Sequence, residues 1–205
     1  MALDLVASLP RIEFVGRVHS ELVHHGTCCD AAQTWLRAMH RSWSFRASSK
    51  SSGRVPVWLK HHYHWGAVQW PISWCEAVRS RAIDCGVFAA FARYIMQHEY
   101  HAAFPAQILL QQPKTYTKQW QQKWADVRQM SNWIGGDHVY HEVCAVQEEE
   151  HGEVRIYDPT EGWWIAPEFS EGINGLQGIC VMSDEILNWG SQQVGQGQWL
   201  LASKL

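Results

Sequence analysis

Apolar residues recur at two periods along this chain: every three to four positions in the first half, every two in the second. Within residues 30–40, Ala31, Trp35, Leu36 and Met39 fall on one helical face, and Asp30 is placed to cap it. A stronger stripe follows Asp84-Cys85-Gly86, where Val87, Phe88, Phe91, Ala92 and Ile95 predict a buried helix. Residues 55–60 read as a short strand or extended arm, and 70–79 as a short helix with Pro71 in its first turn. Residues 103–110 read as a turn feeding a strand. Residues 117–130 give a further amphipathic helix, with Trp120, Trp124 and Val127 on one face and Thr117 as cap. Residues 132–137 read as a loop with two glycines. The period then drops to two. Residues 139–146 and 154–157 are strands around a polar hairpin loop at 147–152, and 178–182 and 198–202 are further strands. Helices first and strands later predict an α+β fold with an antiparallel sheet.

Length and charge narrow the function classes. The 205 residues suffice for one domain with a sizeable core, and no linker or repeat divides them. A net charge of −3 argues against a nucleic-acid partner. The one basic stretch, 41–54, is rich in serine and reads as an exposed loop. No apolar run is long enough to span a membrane. The first residues carry Asp4 and no basic leader, so a signal peptide is not expected. Six irregularly spaced cysteines then read as mostly reduced, and the protein as cytoplasmic. The 13 tryptophans read mainly as packing residues.

Cys85 is the candidate nucleophile. At a helix start, unpaired backbone N–H groups and the positive end of the helix dipole favour a thiolate. Gly86 lets a substrate approach the backbone, and the Cys85 N–H can donate to a developing oxyanion. A base and its orienter come from the later strands, as His138 or His141 and Asp158. In 137–143, alternation puts His138, Tyr140 and Glu142 on one face and Val139, His141 and Val143 on the other. Spacing alone leaves both histidines open. The valines beside His141 suggest a buried, hydrogen-bonded histidine.

These pieces, in order, resemble the transglutaminase-like cysteine superfamily. The carriers are Asp84-Cys85-Gly86, then Ala103-Phe-Pro-Ala-Gln107, then His138-Val-Tyr-His-Glu-Val143, then Asp158-Pro-Thr160. They span about residues 80–165. The resemblance implies a papain-like α+β fold, with the nucleophile at a helix start packed on an antiparallel sheet. It implies a triad of Cys85, His138 and Asp158, the family register selecting His138. The chain departs from the family pattern at Tyr140, where tryptophan is usual, at Gln107, where arginine is usual, and in a longer acidic hairpin. Gln69 and Trp70 are the oxyanion candidates, and Tyr140 and Trp163 the candidate substrate contacts. Residues 1–75 form a divergent N-terminal portion, expected to be helical, that matches nothing in the family.

The expected chemistry is an acyl-enzyme formed on an amide, ending in hydrolysis or glutamine deamidation. Acyl transfer from a thioester or amide to an amine is the alternative. The substrate is expected to be a peptide, a protein or a small amide or thioester, with no cofactor and no metal. A non-catalytic binding module on the same fold is the rival from another class. His61-His-Tyr-His64 and His24-His25 with Cys28-Cys29 are metal-like at first sight but lack ligand spacing. Cys28 is the rival nucleophile. Cys75, Cys144 and Cys180 read as structural thiols.

Overall fold

The computed structural model describes residues 3–6, 21–47, 58–66, 68–111, 134–135, 138–165, 176–195, 197 and 199–202. The expected helix at 117–130 lies outside them. Among the described residues four helices, α1 (Gly26–Ala47), α2 (Trp58–His62), α3 (Trp74–Arg79) and α4 (Cys85–Met96), precede most of the sheet. The strands are β1 (Leu3–Val6), β2 (His64–Trp65), β3 (Ala82–Ile83), β4 (Ala102–Gln111), β5 (Ile134–Gly135), β6 (His138–Gln147), β7 (Val154–Asp158), β8 (Trp163–Ile165), β9 (Leu176–Val181), β10 (Leu187–Trp189), β11 (Gln192–Val194) and β12 (Trp199–Ala202). The main sheet runs β1-β12-β9-β4-β6-β7-β8, every pair antiparallel, with β5 also on β6. The fold is mixed α+β with a mostly antiparallel sheet.

Alternation along the strands divides two cores. Cys144 and Val146 of β6 and Tyr157 of β7 face the helices, packing with Val87, Phe88, Phe91, Ile95 and Met96 of α4. Val143, Ala145 and Ile156 belong to the other core, under Leu187, Trp189 and Val194 of the β10–β11 hairpin. α4 is therefore buried on nearly every side, as its unbroken apolar composition requires. Its predicted stripe matches the buried residues.

Several local expectations are corrected. α1 starts at Gly26 rather than at Asp30, and its inward residues are Cys29, Leu36 and His40. Trp35 and Met39, expected inside, are 37% and 38% exposed. The stripe turned because His40 takes a core position, its ring 3.1 Å from the Glu99 carboxylate. The helix also continues through 41–47, into the expected loop. Residues 58–60, expected to be extended, are helical, with Trp58 and Leu59 buried. α3 starts after Pro71, because Ser73 caps it in a reciprocal box with Glu76. The run 102–111 is strand throughout. Pro105 sits where the ladder to β9 ends: its carbonyl accepts from Met182, and the first strand pair is Ala106 with Val181. Ile134 and Gly135 form a short strand within the expected loop. The N-terminal portion also supplies β1, which pairs with the C-terminal β12.

Two of the cysteines expected to be reduced are joined. Cys28 of α1 and Cys75 of α3 form a disulfide, so Cys28 is no free nucleophile; Cys29, Cys85, Cys144 and Cys180 remain free thiols.

Candidate active site

Asp84 builds the start of α4. Its backbone is extended, and one carboxylate oxygen accepts the Val87 N–H at 3.0 Å. Its carbonyl accepts the Phe88 N–H. The other carboxylate oxygen accepts the indole N–H of Trp70 at 2.7 Å. Asp84 is fully buried, so one carboxylate caps the helix and anchors the segment leading into α3. Cys85 is the first helical residue and is buried. Neither its N–H nor that of Gly86 meets a carbonyl within the helix.

The base and its orienter come from β6 and β7. On one edge β6 changes partner, from β5 at His138 and Val139 to β7 at Cys144 to Gln147. His141 lies in the interval between those two ladders. Its Nε2 is 3.0 Å from Asp158 Oδ2, and its ring lies near enough to Cys85 for the thiol to raise the imidazole pKa. With Nε2 given to the carboxylate, Nδ1 is the nitrogen left for sulfur.

Asp158 is held from the opposite side. Its Oδ1 accepts the backbone N–H groups of Thr160 at 2.9 Å and Glu161 at 3.3 Å, and its carbonyl accepts that of Gly162. Lys60 of α2 clamps this turn, donating to the Glu161 carbonyl at 2.9 Å and its carboxylate at 3.0 Å. Burial raises the Asp158 pKa, but the facing His141 and the two N–H bonds outweigh it and hold the carboxyl below its usual range. Burial lowers the His141 pKa, but the Asp158 charge and the bonds to Asp158 and Cys85 leave it well above the usual imidazole value.

The register assigned from the family pattern is corrected here. Continuing the β6–β7 pairing by one residue places Val143 opposite Asp158. His141 lies two residues before Val143, outside both ladders, with its Nε2 on Asp158. His138 lies three residues before His141, at the start of β6. The histidine against Asp158 is His141, by its 3.0 Å bond to Oδ2.

The other candidates are distributed as follows. Trp70 gives its indole N–H to Asp84, which leaves that side chain no donor for an oxyanion. Gln69 is exposed and directly precedes it. Tyr140 turns away from His141 by strand parity; its ring is buried edge-on against Trp199, 5.8 Å between centroids, so a substrate contact there is corrected to packing. Trp163 pairs its backbone with Asp158 across β7–β8. Its neighbour Trp164 packs on Tyr157 and under the Arg155 guanidinium. His24 pairs with Asp30, and His61 and His62 are exposed at the end of α2. Among the described residues no group of three or more His, Cys, Asp or Glu could hold a metal ion.

The sequence reading gave no site role to three residues, Asp84, Lys60 and Glu161. Asp84 carried a readable signal, an aspartate before an apolar helix, but its bond to Trp70 is a tertiary contact with none. Lys60 and Glu161 lie about a hundred residues apart and carry no mutual signal. Comparison with protein-family models, curated proteins and solved structures finds no match for this chain. No described helix is long and apolar enough to cross a membrane.

Proposed function

We propose that the protein is a cysteine-dependent acyl-transfer enzyme acting on an amide, with Cys85 as nucleophile, His141 as general base and then acid, and Asp158 as orienter. One observation carries this reading: a thiol at a helix start lies beside an imidazole whose Nε2 is held by a buried carboxylate. The thiol proton passes to His141 as sulfur attacks the carbonyl carbon. The carbonyl electron pair moves to oxygen, where the N–H groups of Cys85 and Gly86 can receive it. Collapse of the tetrahedral intermediate breaks the C–N bond, and His141 returns its proton to the departing amine. Water, deprotonated by the same imidazole, then releases the acid and restores the thiol. The α+β arrangement fits the transglutaminase-like and papain-like relationship that the motifs suggest, with the histidine moved by three residues.

The test is intact-mass measurement after incubation with a panel of peptide and small amides. An acyl adduct on Cys85, cleared by hydrolysis or by an added amine and absent in Cys85→Ala and His141→Ala, is the expected result. Iodoacetamide labelling of Cys85 at mildly acidic pH should be fast in the wild type and slow in His141→Ala. Labelling no faster than that of a free cysteine, with no adduct from any substrate, would favour a binding module instead.

A further inference from the structure

A second group of sulfurs lies away from Cys85, where α1 packs on α3. Cys28 and Cys75 are bonded. The third sulfur, Cys29 Sγ, is 3.8 Å from Cys75 Sγ, and Cys29 is fully buried. The backbone N–H of His25 donates to the Cys29 sulfur at 3.2 Å, and the thiol itself donates to the Val23 carbonyl at 3.8 Å. Cys28 is exposed, and its sulfur is 3.7 Å from the Arg79 guanidinium. The arrangement thus contains the three parts of a thiol–disulfide exchange: an attacking thiol, a central sulfur, and a leaving sulfur beside a cation.

We propose that Cys28, Cys29 and Cys75 form an internal thiol–disulfide exchange centre that trades a buried free thiol for an exposed one. When the α1–α3 contact opens far enough to admit water, the Cys29 thiol, otherwise held to the Val23 carbonyl, gives its proton to solvent and its sulfur attacks Cys75 Sγ. The Cys29–Cys75 bond forms as the Cys28–Cys75 bond breaks. The bonding pair leaves on Cys28, next to Arg79, and solvent returns a proton. The step consumes no oxidant or reductant, because one disulfide and one thiol stand on each side. Its consequence is chemical access. With Cys29 as the free thiol the group is sealed in the core; with Cys28 free it is at the surface, open to electrophiles and to the disulfides of other molecules. Cys29 is the next residue in α1, so the exchange moves the cross-link by one position while keeping α1 tied to α3.

The experiment is timed N-ethylmaleimide labelling of the folded full-length protein without reductant, with the label and disulfide located by peptide fragmentation. Label is expected on Cys28, in molecules whose disulfide is Cys29–Cys75. In Cys29→Ser, labelling of Cys28 should fall by at least about tenfold. Two results would overturn the proposal: Cys28 labelled equally fast in Cys29→Ser, or wild-type Cys28 label found only in molecules where Cys75 is also free. The second reading uses the wild type alone, so it decides even if the variant fails to fold.

Discussion

His141 and Asp158 form a pair whose two members constrain each other. Neither is accessible enough for water to substitute for the other: the side chains are 16% and 6% exposed. Removing one partner of a buried pair leaves an uncompensated group, at a cost of about 3–5 kcal/mol. Asp158→Ala should therefore destabilise the protein by that order in urea unfolding. For catalysis the distinction between the histidines is sharper. His141→Ala should reduce acyl-enzyme formation by about a hundred- to ten-thousand-fold, the range of a lost general base. His138→Ala should leave the rate within a few fold, and turnover assays on purified variants separate the two. The reverse ranking would mean that His138, not His141, is the base. The pH dependence has a definite sign. The raised His141 pKa stabilises the fold fully below the ordinary imidazole value of 6.5, and this is lost as pH rises through the higher folded value. The lowered Asp158 pKa stabilises it fully above the ordinary 3.8, and this is lost as pH falls through the lower folded value. The pair contributes most between those limits, so the gap in urea midpoint between wild type and His141→Gln should be widest there and narrow on both sides. Both histidines and the aspartate were legible in the sequence, but the family pattern selected His138, because the choice depends on which β6 residue meets Asp158. That is a register, and a shift of one residue exchanges the faces.

Among the elements, α4 shows what local pattern can and cannot specify. Its stripe, its start and its burial were legible because apolar spacing and an N-terminal aspartate are local signals. What aims the nucleophile is not local. Asp84 binds Trp70, 14 residues earlier, with the carboxylate oxygen that the cap leaves over. The cap is worth about 1 kcal/mol and the charge-assisted bond about 1.5–3 kcal/mol. For a chain of this length each kcal/mol moves Tm by about 2–4 °C, so Asp84→Ala should lower Tm by about 5–15 °C. It should also slow Cys85 labelling, since the first turn of α4 loses its anchor. A thermal melt beside a labelling time course checks both, and an unchanged Tm would mean the Trp70 bond contributes nothing. α1 shows the opposite case. Polar His40 broke the apolar pattern, and Trp35 and Met39 imitated one, so the predicted face was turned. The Glu99 carboxylate that lets a histidine replace a leucine there lies beyond the end of α4, out of reach of any local pattern.

At the scale of the molecule, the chain is held by pairings between distant segments: β1 with β12, Lys60 with the Glu161 turn, and Cys28 with Cys75. None has a sequence signal, and the disulfide went against the reading of reduced cysteines. It closes a loop of 47 residues, for which chain entropy alone gives about 4 kcal/mol of stabilisation. The three-sulfur arrangement makes that stabilisation testable in an unusual way. Cys75 is the sulfur common to both possible cross-links, whereas Cys28 and Cys29 can replace each other. Under non-reducing conditions Cys75→Ser should lose most of the loop contribution, about 2–4 kcal/mol. Cys28→Ser should lose much less, because Cys29 can then bond Cys75 and close a loop one residue shorter. Urea midpoints for the two variants, each measured with and without reductant, check this. Reductant should lower the Cys28→Ser midpoint and leave that of Cys75→Ser unchanged. Equal losses in the two variants, both insensitive to reductant, would mean that Cys29 cannot reach Cys75 in the folded chain. The α1–α3 tie would then depend on Cys28 alone.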